Sequence, residues 1–189
     1  MTEPTTEAAA EPGGLRAKDL YQFWWLHDAR WYQGVLKRFG QDAANEINAE
    51  AVRFVGRRVA AWHARAHPIG PDGPTAAELA GHVDAILRLM GAGTMSEVSQ
   101  EVIGEDEFET LVSKSFALRM LRAAGTLDGY DCPCLELRAG WFEGLRTTVD
   151  DSCVSCQRTG SDACRFRAVL RRDPDGAQGR QAPDAAPIS

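Results

Sequence analysis

The residues best suited to chemistry are five cysteines, all between Cys132 and Cys164 of a 189-residue chain. They run Cys132-x-Cys134, eighteen residues, Cys153-x2-Cys156, seven residues, Cys164. A two-residue gap lets a knuckle-like turn aim two sulfurs at one metal, and a second cysteine cluster nearby completes a tetrahedral set. Cys132, Cys134, Cys153, Cys156 and Cys164 are therefore candidate ligands of zinc or of an iron–sulfur cluster, and the spacing does not decide between the two. Five sulfurs exceed the four that either centre needs, so one thiol is left over as a candidate nucleophile, or three bind and a position stays open for substrate. The competing reading is that these cysteines are small buried apolar residues or a redox pair.

A second set of candidates lies near the N-terminus. His27 falls between Trp24 and Trp31 on what reads as an apolar helical stripe. It is the acid–base candidate, with the two tryptophans and Asn48 as walls of a small-molecule pocket. The plainer alternative is a buried histidine satisfied by one hydrogen bond, with Asn48 tying two helices together. His63 and His67 have metal-compatible spacing, but they stand at a helix C-terminus, where a cation also suits the dipole. His82 reads as solvated. Arg119 and Arg122 read as surface residues. The sequence carries no glycine-rich phosphate loop, no HExxH and no GxSxG.

Positioning these groups calls for helices first and strands later. Leu20, Trp24, His27, Trp31 and Val35 recur at helical spacing and predict a helix over 17–39, ended by Gly40. Ala44, Ile47, Ala51, Val55, Val59 and Trp62 predict a second over 42–67, broken by the Pro- and Gly-rich run at 68–74. Thr75 and Glu78 have the spacing of a capping box, opening a third helix with Leu79, Val83, Ile86, Leu87 and Met90 as its core face. Residues 96–103 and 107–116 read as two strands, 117–124 as a short helix and 135–148 as another. A loop is expected to carry Cys153 and Cys156, and 164–171 reads as an amphipathic strand. Helices followed by a small, mostly antiparallel sheet imply an α+β fold, here an N-terminal helical bundle on a sheet with a cysteine-rich C-terminal lobe.

Composition sets the outer bounds. Residues 1–14 and 173–189 lack apolar periodicity and are expected to be disordered, leaving one domain over 15–172. The formal charge is −6, without a basic stripe, which argues against a nucleic-acid partner. No charged and apolar leader and no bilayer-length apolar run is present, so the expected setting is cytoplasmic, with no membrane partner. Clustered thiols there are more often ligands or catalysts than disulfides.

The stretch His27-Asp28-Ala-Arg-Trp31-Tyr32, then Phe39-Gly40, then Ala44-Asn45-Glu-Ile-Asn48, resembles the N-terminal helical pair of an uncharacterised bacterial family. Members of that family end in a Cys-x2-Cys loop and a Cys-aromatic strand, as Cys153, Cys156, Cys164 and Phe166 do here. The ending from Arg158 through Gly160, Asp162 and Cys164 to Phe166 is similar to that of the L-2-amino-thiazoline-4-carboxylic acid hydrolase family and to vinyl-reductase-type small-molecule-binding domains. The hydrolase resemblance implies opening of a small sulfur- and nitrogen-containing ring. Cys132, Cys134 and Cys153 are additions to that pattern and favour a zinc or cluster site.

The sequence thus points to a cysteine-ligated metal or iron–sulfur protein with a small-molecule ligand or substrate, either an enzyme acting on a small sulfur- or nitrogen-containing metabolite or a metal-stabilised sensor. A metal-free thiol hydrolase is the third reading. Whether the chain is catalytic stays open, and so does a homodimer.

Overall fold

The computed structural model describes residues 16–171. The two tails expected to be disordered, 1–14 and 173–189, lie outside the described residues. The elements run α1 (Ala17–Phe39), α2 (Gln41–Ala66), α3 (Ala76–Leu89), β1 (Ser96–Val102), β2 (Glu107–Ser115), α4 (Phe116–Ala123), α5 (Cys134–Leu145), β3 (Val149–Ser155) and β4 (Cys164–Leu170), with one 3-10 turn at Gln157–Thr159. The four strands form a single sheet in the order β1-β2-β4-β3, every neighbouring pair antiparallel. The fold is α+β.

Local chemistry sets the breaks. Gly40 separates α1 from α2 at φ 89°, a left-handed value that costs a side-chain-bearing residue about 1 kcal/mol or more. Its N–H donates to the Leu36 carbonyl at 3.0 Å, closing α1. The capping box that opens α3 forms as its spacing implies: the Thr75 N–H donates to Glu78 Oε2 at 2.8 Å and the Glu78 N–H to Thr75 Oγ1 at 3.3 Å.

Tertiary packing is tightest where α2 crosses α5. A Cβ on Gly144 would stand 2.5 Å from the Arg57 carbonyl oxygen, and one on Gly140 would run into the backbone of Arg53 and Arg57. These two positions let the helix backbones touch. Arg53 then bridges the crossing to Glu136 (3.0 Å) and Glu143.

Alternation along β4 sorts its residues: Cys164, Phe166, Ala168 and Leu170 are buried, whereas Arg165 and Arg167 point outward to Glu109 (3.5 Å) and Glu107 (2.6 Å) of β2. The buried face meets Leu79, Val83 and Ile86 of α3, and Trp141, Phe142 and Leu145 of α5, in one core with Phe108. A second core gathers Tyr32, Val35, Ala44, Leu118, Leu121, Tyr130, Cys164 and Phe166.

Three expectations are corrected. Of the α1 stripe, Leu20, Trp24 and Trp31 face outward, with 46–61% of each residue exposed, whereas Val35 is buried as expected, together with Tyr32 from off the stripe. On α2, Ala44 is buried as expected, but the other buried residues are Gly56, Ala60 and His63, and Ile47, Val55 and Trp62 of the expected stripe are 37–61% exposed. Cys153 lies in edge strand β3 rather than in a loop.

Candidate functional site

The thiols come from three places. Cys132 and Cys134 flank Pro133 at the start of α5, Cys156 follows β3, and Cys164 opens β4. The Cys132 and Cys134 sulfurs are 3.0 Å apart, and those of Cys156 and Cys164 are 4.0 Å apart. Cys132 is also within hydrogen-bonding reach of Cys156, and Cys134 lies close enough to Cys156 and Cys164 to feel their charge. Four thiols thus converge against the second core. Cys153 stands apart from that core: it is exposed, with its Sγ 3.3 Å from the Ser155 carbonyl.

Mutual contact polarises the group. The thiol of Cys134 supports the thiolate of Cys132, whose pKa falls to about 7 with further help from Cys156 and the Arg158 guanidinium. The same contact, with burial, pushes the Cys134 thiol well up. Burial lifts Cys164 to about 11, against the opposing backbone N–H of Gln157, which donates to its sulfur at 3.2 Å.

Whether a metal fits is a question of donor type and spacing. All four converging donors are soft sulfurs, the type that selects zinc, copper(I) or an iron–sulfur cluster. Tetrahedral zinc with Zn–S bonds near 2.3 Å places its sulfurs about 3.8 Å apart. The Cys156–Cys164 separation is close to that value, and the Cys132–Cys134 pair would open by roughly 0.8 Å. Among the described residues, no group of three or more His, Cys, Asp or Glu side chains is already drawn together in metal-holding geometry. The donor chemistry fits a thiophilic centre, with the pair at Pro133 as the part that must adjust.

The expected pocket is divided. Trp24 and His27 stack with ring centroids 5.8 Å apart on the exposed side of α1, and the His27 side chain is 69% exposed with Nδ1 3.5 Å from Asp28. Trp31 is exposed as well, so these three do not face the thiols across an enclosed wall. Asn48 is half-buried and lies beside Tyr130, the residue that leads into the cysteine loop. Two open surface grooves lie elsewhere, one between Arg58, Trp62 and Leu89, another beside Leu135, Ala139 and Thr148.

Three features escaped the sequence reading. Asn45 is the hub of the cysteine loop: its Oδ1 accepts from the Tyr32 hydroxyl (2.7 Å) and the Asp131 N–H (3.1 Å), and its Nδ2 donates to the Gly129 carbonyl (2.9 Å). Arg138 is 2% exposed, paired with Asp151 through Nε (2.6 Å) and NH2 (2.8 Å), and donates to Thr110 Oγ1 at 2.9 Å. His63 Nε2 lies 3.0 Å from His82 Nδ1, with the His67 ring 4.7 Å from that of His63. Each of these partnerships spans tens of residues or crosses elements; only the i,i+4 spacing of His63 and His67 signalled one of them.

No protein-family model matches the chain, and no curated protein matches it. Solved structures do. A trafficking protein particle complex subunit 3 from Naegleria fowleri, covalently bound to palmitic acid, superposes with a TM-score of 0.56 at 12% identity, covering 82% of this chain and 97% of that one. The phenol-responsive sensory domain of the transcription activator PoxR, with phenol, gives 0.54 at 13% identity over 86% and 78% of the two chains. The likeness is one of fold. No helix among the described residues is long and apolar enough to cross a membrane.

Proposed function

We propose that this chain is a small-molecule-binding domain whose cysteine loop is fastened by a thiophilic metal centre, with Cys132, Cys134, Cys156 and Cys164 as ligands. The observation that carries the reading is the convergence of four buried or half-buried thiols from the start of α5, the end of β3 and the start of β4. Bound there, the centre would supply a rigid charge-neutralised crosslink. The protein's own part is to hold the loop in register, which Asn45 does from α2. Cys153, exposed and apart, is not a ligand in this reading.

Ligand binding is supported by the shared fold of the PoxR sensory domain, seen with phenol. The corner we assign to it is the one where Asn48 and Tyr130 meet the thiols, because it joins a polar handle to an aromatic surface beside the proposed centre. A second reading rests on the Cys132 thiolate near neutrality: without metal, Cys132 would be the nucleophile of a thiol hydrolase.

Metal analysis of anaerobically purified protein separates the two. One zinc, or iron with acid-labile sulfide, retained by Cys153→Ser and lost from Cys156→Ser, supports the fastened domain. Absence of metal with selective alkylation of Cys132 supports the hydrolase. Thermal shift with phenol as probe, abolished by Asn48→Ala, tests the ligand corner; an equal shift in that variant would place binding elsewhere.

A further inference from the structure

Helix α2 shows two faces. Gly56, Ala60 and His63 are buried, with α5 lying against Gly56. Ile47, Phe54, Val55 and Trp62 form a second apolar run, 37–61% exposed, with exposed Ala51 and Arg58 between them. At about 100° per residue these six positions share one side of the helix, across from Gly56, Ala60 and His63; Ala44, one turn before Ile47, is buried on that same side, so the open run begins at Ile47.

This exposed run is self-complementary. Ile47 and Trp62 are equally distant from the midpoint between Phe54 and Val55, and so are Ala51 and Arg58. A two-fold axis through that midpoint, with two copies of α2 antiparallel, sets Ile47 of one copy against Trp62 of the other and Phe54 against Val55. The charges follow the same symmetry. Exposed Glu46, Glu50 and Arg57 lie on one flank of the run, the two acids before the midpoint and the base after it, while Arg53 beside them is paired with Glu136 and Glu143 of α5. In an antiparallel pair each flank meets its own reversed copy, so Glu50 of each chain faces Arg57 of the other, twice over. Isologous interfaces demand this kind of self-match.

From the reversed charge order and the palindromic apolar run, we infer that α2 is the core of a homodimer interface and that its occupant is a second copy of this chain. Stable complexes bury about 800 Å² per partner, and Ile47, Phe54, Val55 and Trp62 are the apolar part of α2 that stands open toward it. The shallow groove between Arg58, Trp62 and Leu89 borders the run and would receive the side chains that flank Ile47 of the second copy.

Sedimentation equilibrium of the full chain tests this, with Glu50→Arg, Arg57→Glu and the double exchange. The wild-type protein should sediment at twice its 20.6 kDa chain mass. Each single reversal puts like charges across the interface and should weaken the dimer at least about a hundredfold, and the double exchange should restore it. Both sites are on the surface, so circular dichroism should be unchanged. A wild-type monomer at every concentration overturns the inference, as does a dimer indifferent to both single reversals. Cosedimentation of monomer with phosphatidylglycerol vesicles, released by Trp62→Glu, would give the face to a membrane and overturn it too.

Discussion

Arg138 shows how a residue that looks like surface in the sequence becomes the centre of a fold. Its guanidinium lies under three rings, with centroids of Phe166, Phe142 and Trp141 at 5.1, 5.6 and 5.9 Å, and its charge is balanced by Asp151, itself only 10% exposed. Thr110 accepts a further hydrogen bond from Arg138, and its own hydroxyl donates to Gln100 Oε1 at 2.7 Å. Breaking such a pair by removing one partner leaves a buried charge with nothing opposite it. Asp151→Ala should therefore cost about 3–5 kcal/mol by urea denaturation, whereas Asp150→Ala, on the exposed side of the same strand, should cost under about 1 kcal/mol. Equal costs would mean that water reaches Arg138.

At the scale of elements, the helices were legible and their orientation was not. Helical spacing locates α1 at Ala17–Phe39 as expected, since Gly40 and the periodic stripe fix its length. But α1 carries apolar residues on two sides, and periodicity reports a stripe without saying what covers it; Val35 of the stripe and Tyr32 from off it reach the core, and Trp24 and Trp31 do not. For the same reason the Trp24–His27–Trp31 pocket was a misreading of an outer face. Strand β3 was missed because Val149-Asp-Asp-Ser-Cys-Val-Ser155 has little apolar alternation, and an edge strand needs little. The convergence of the cysteines was legible from spacing; the separation of Cys153 depended on that unrecognised strand.

The α2–α5 crossing and the α2–α3 contact each make a prediction. Gly144→Ala must push α5 away from Arg57 and Ala60 of α2 and should destabilise by about 1–3 kcal/mol, while Gly81→Ala, on an open side of α3, should stabilise by roughly 0.5–1 kcal/mol. Opposite signs in the urea midpoints are the check. Between α2 and α3, burial first, then neighbouring imidazoles, hold the pKa values of His63 and His82 below the usual histidine value, with Glu78 working the other way on His82. The unfolded chain therefore binds more protons than the folded one once pH falls to about 6.5. The stability of this neutral pair is complete above that pH and is lost as pH drops toward the folded-state values. The urea midpoint should rise between pH 5.5 and 7.5, and His82→Gln should flatten the rise. A variant as pH-dependent as the wild type would clear these histidines of the effect.

For the whole molecule, the consequence of a metal at the four thiols depends on where they are rooted. Cys164 begins an interior strand, flanked by β2 and β3, so a centre held by it reaches into the middle of the sheet. Cys132 and Cys134 enter from the loop that Asn45 ties to α2, so the same centre would join the sheet to the helical layer. A crosslink between layers stabilises by the free energy of binding, because the unfolded chain offers no preformed site. At a thousandfold excess over its dissociation constant that is about 4 kcal/mol, or roughly 8–16 °C in Tm for a domain of this size. EDTA should lower the melting temperature by that order, Cys156→Ser should melt low with or without EDTA, and Cys153→Ser should behave as wild type. Melting unmoved by EDTA and by Cys156→Ser would mean that the hydrophobic contacts of Phe166, Leu118 and Tyr130 hold the two layers unaided, and the thiols would then have to be explained by their reactivity.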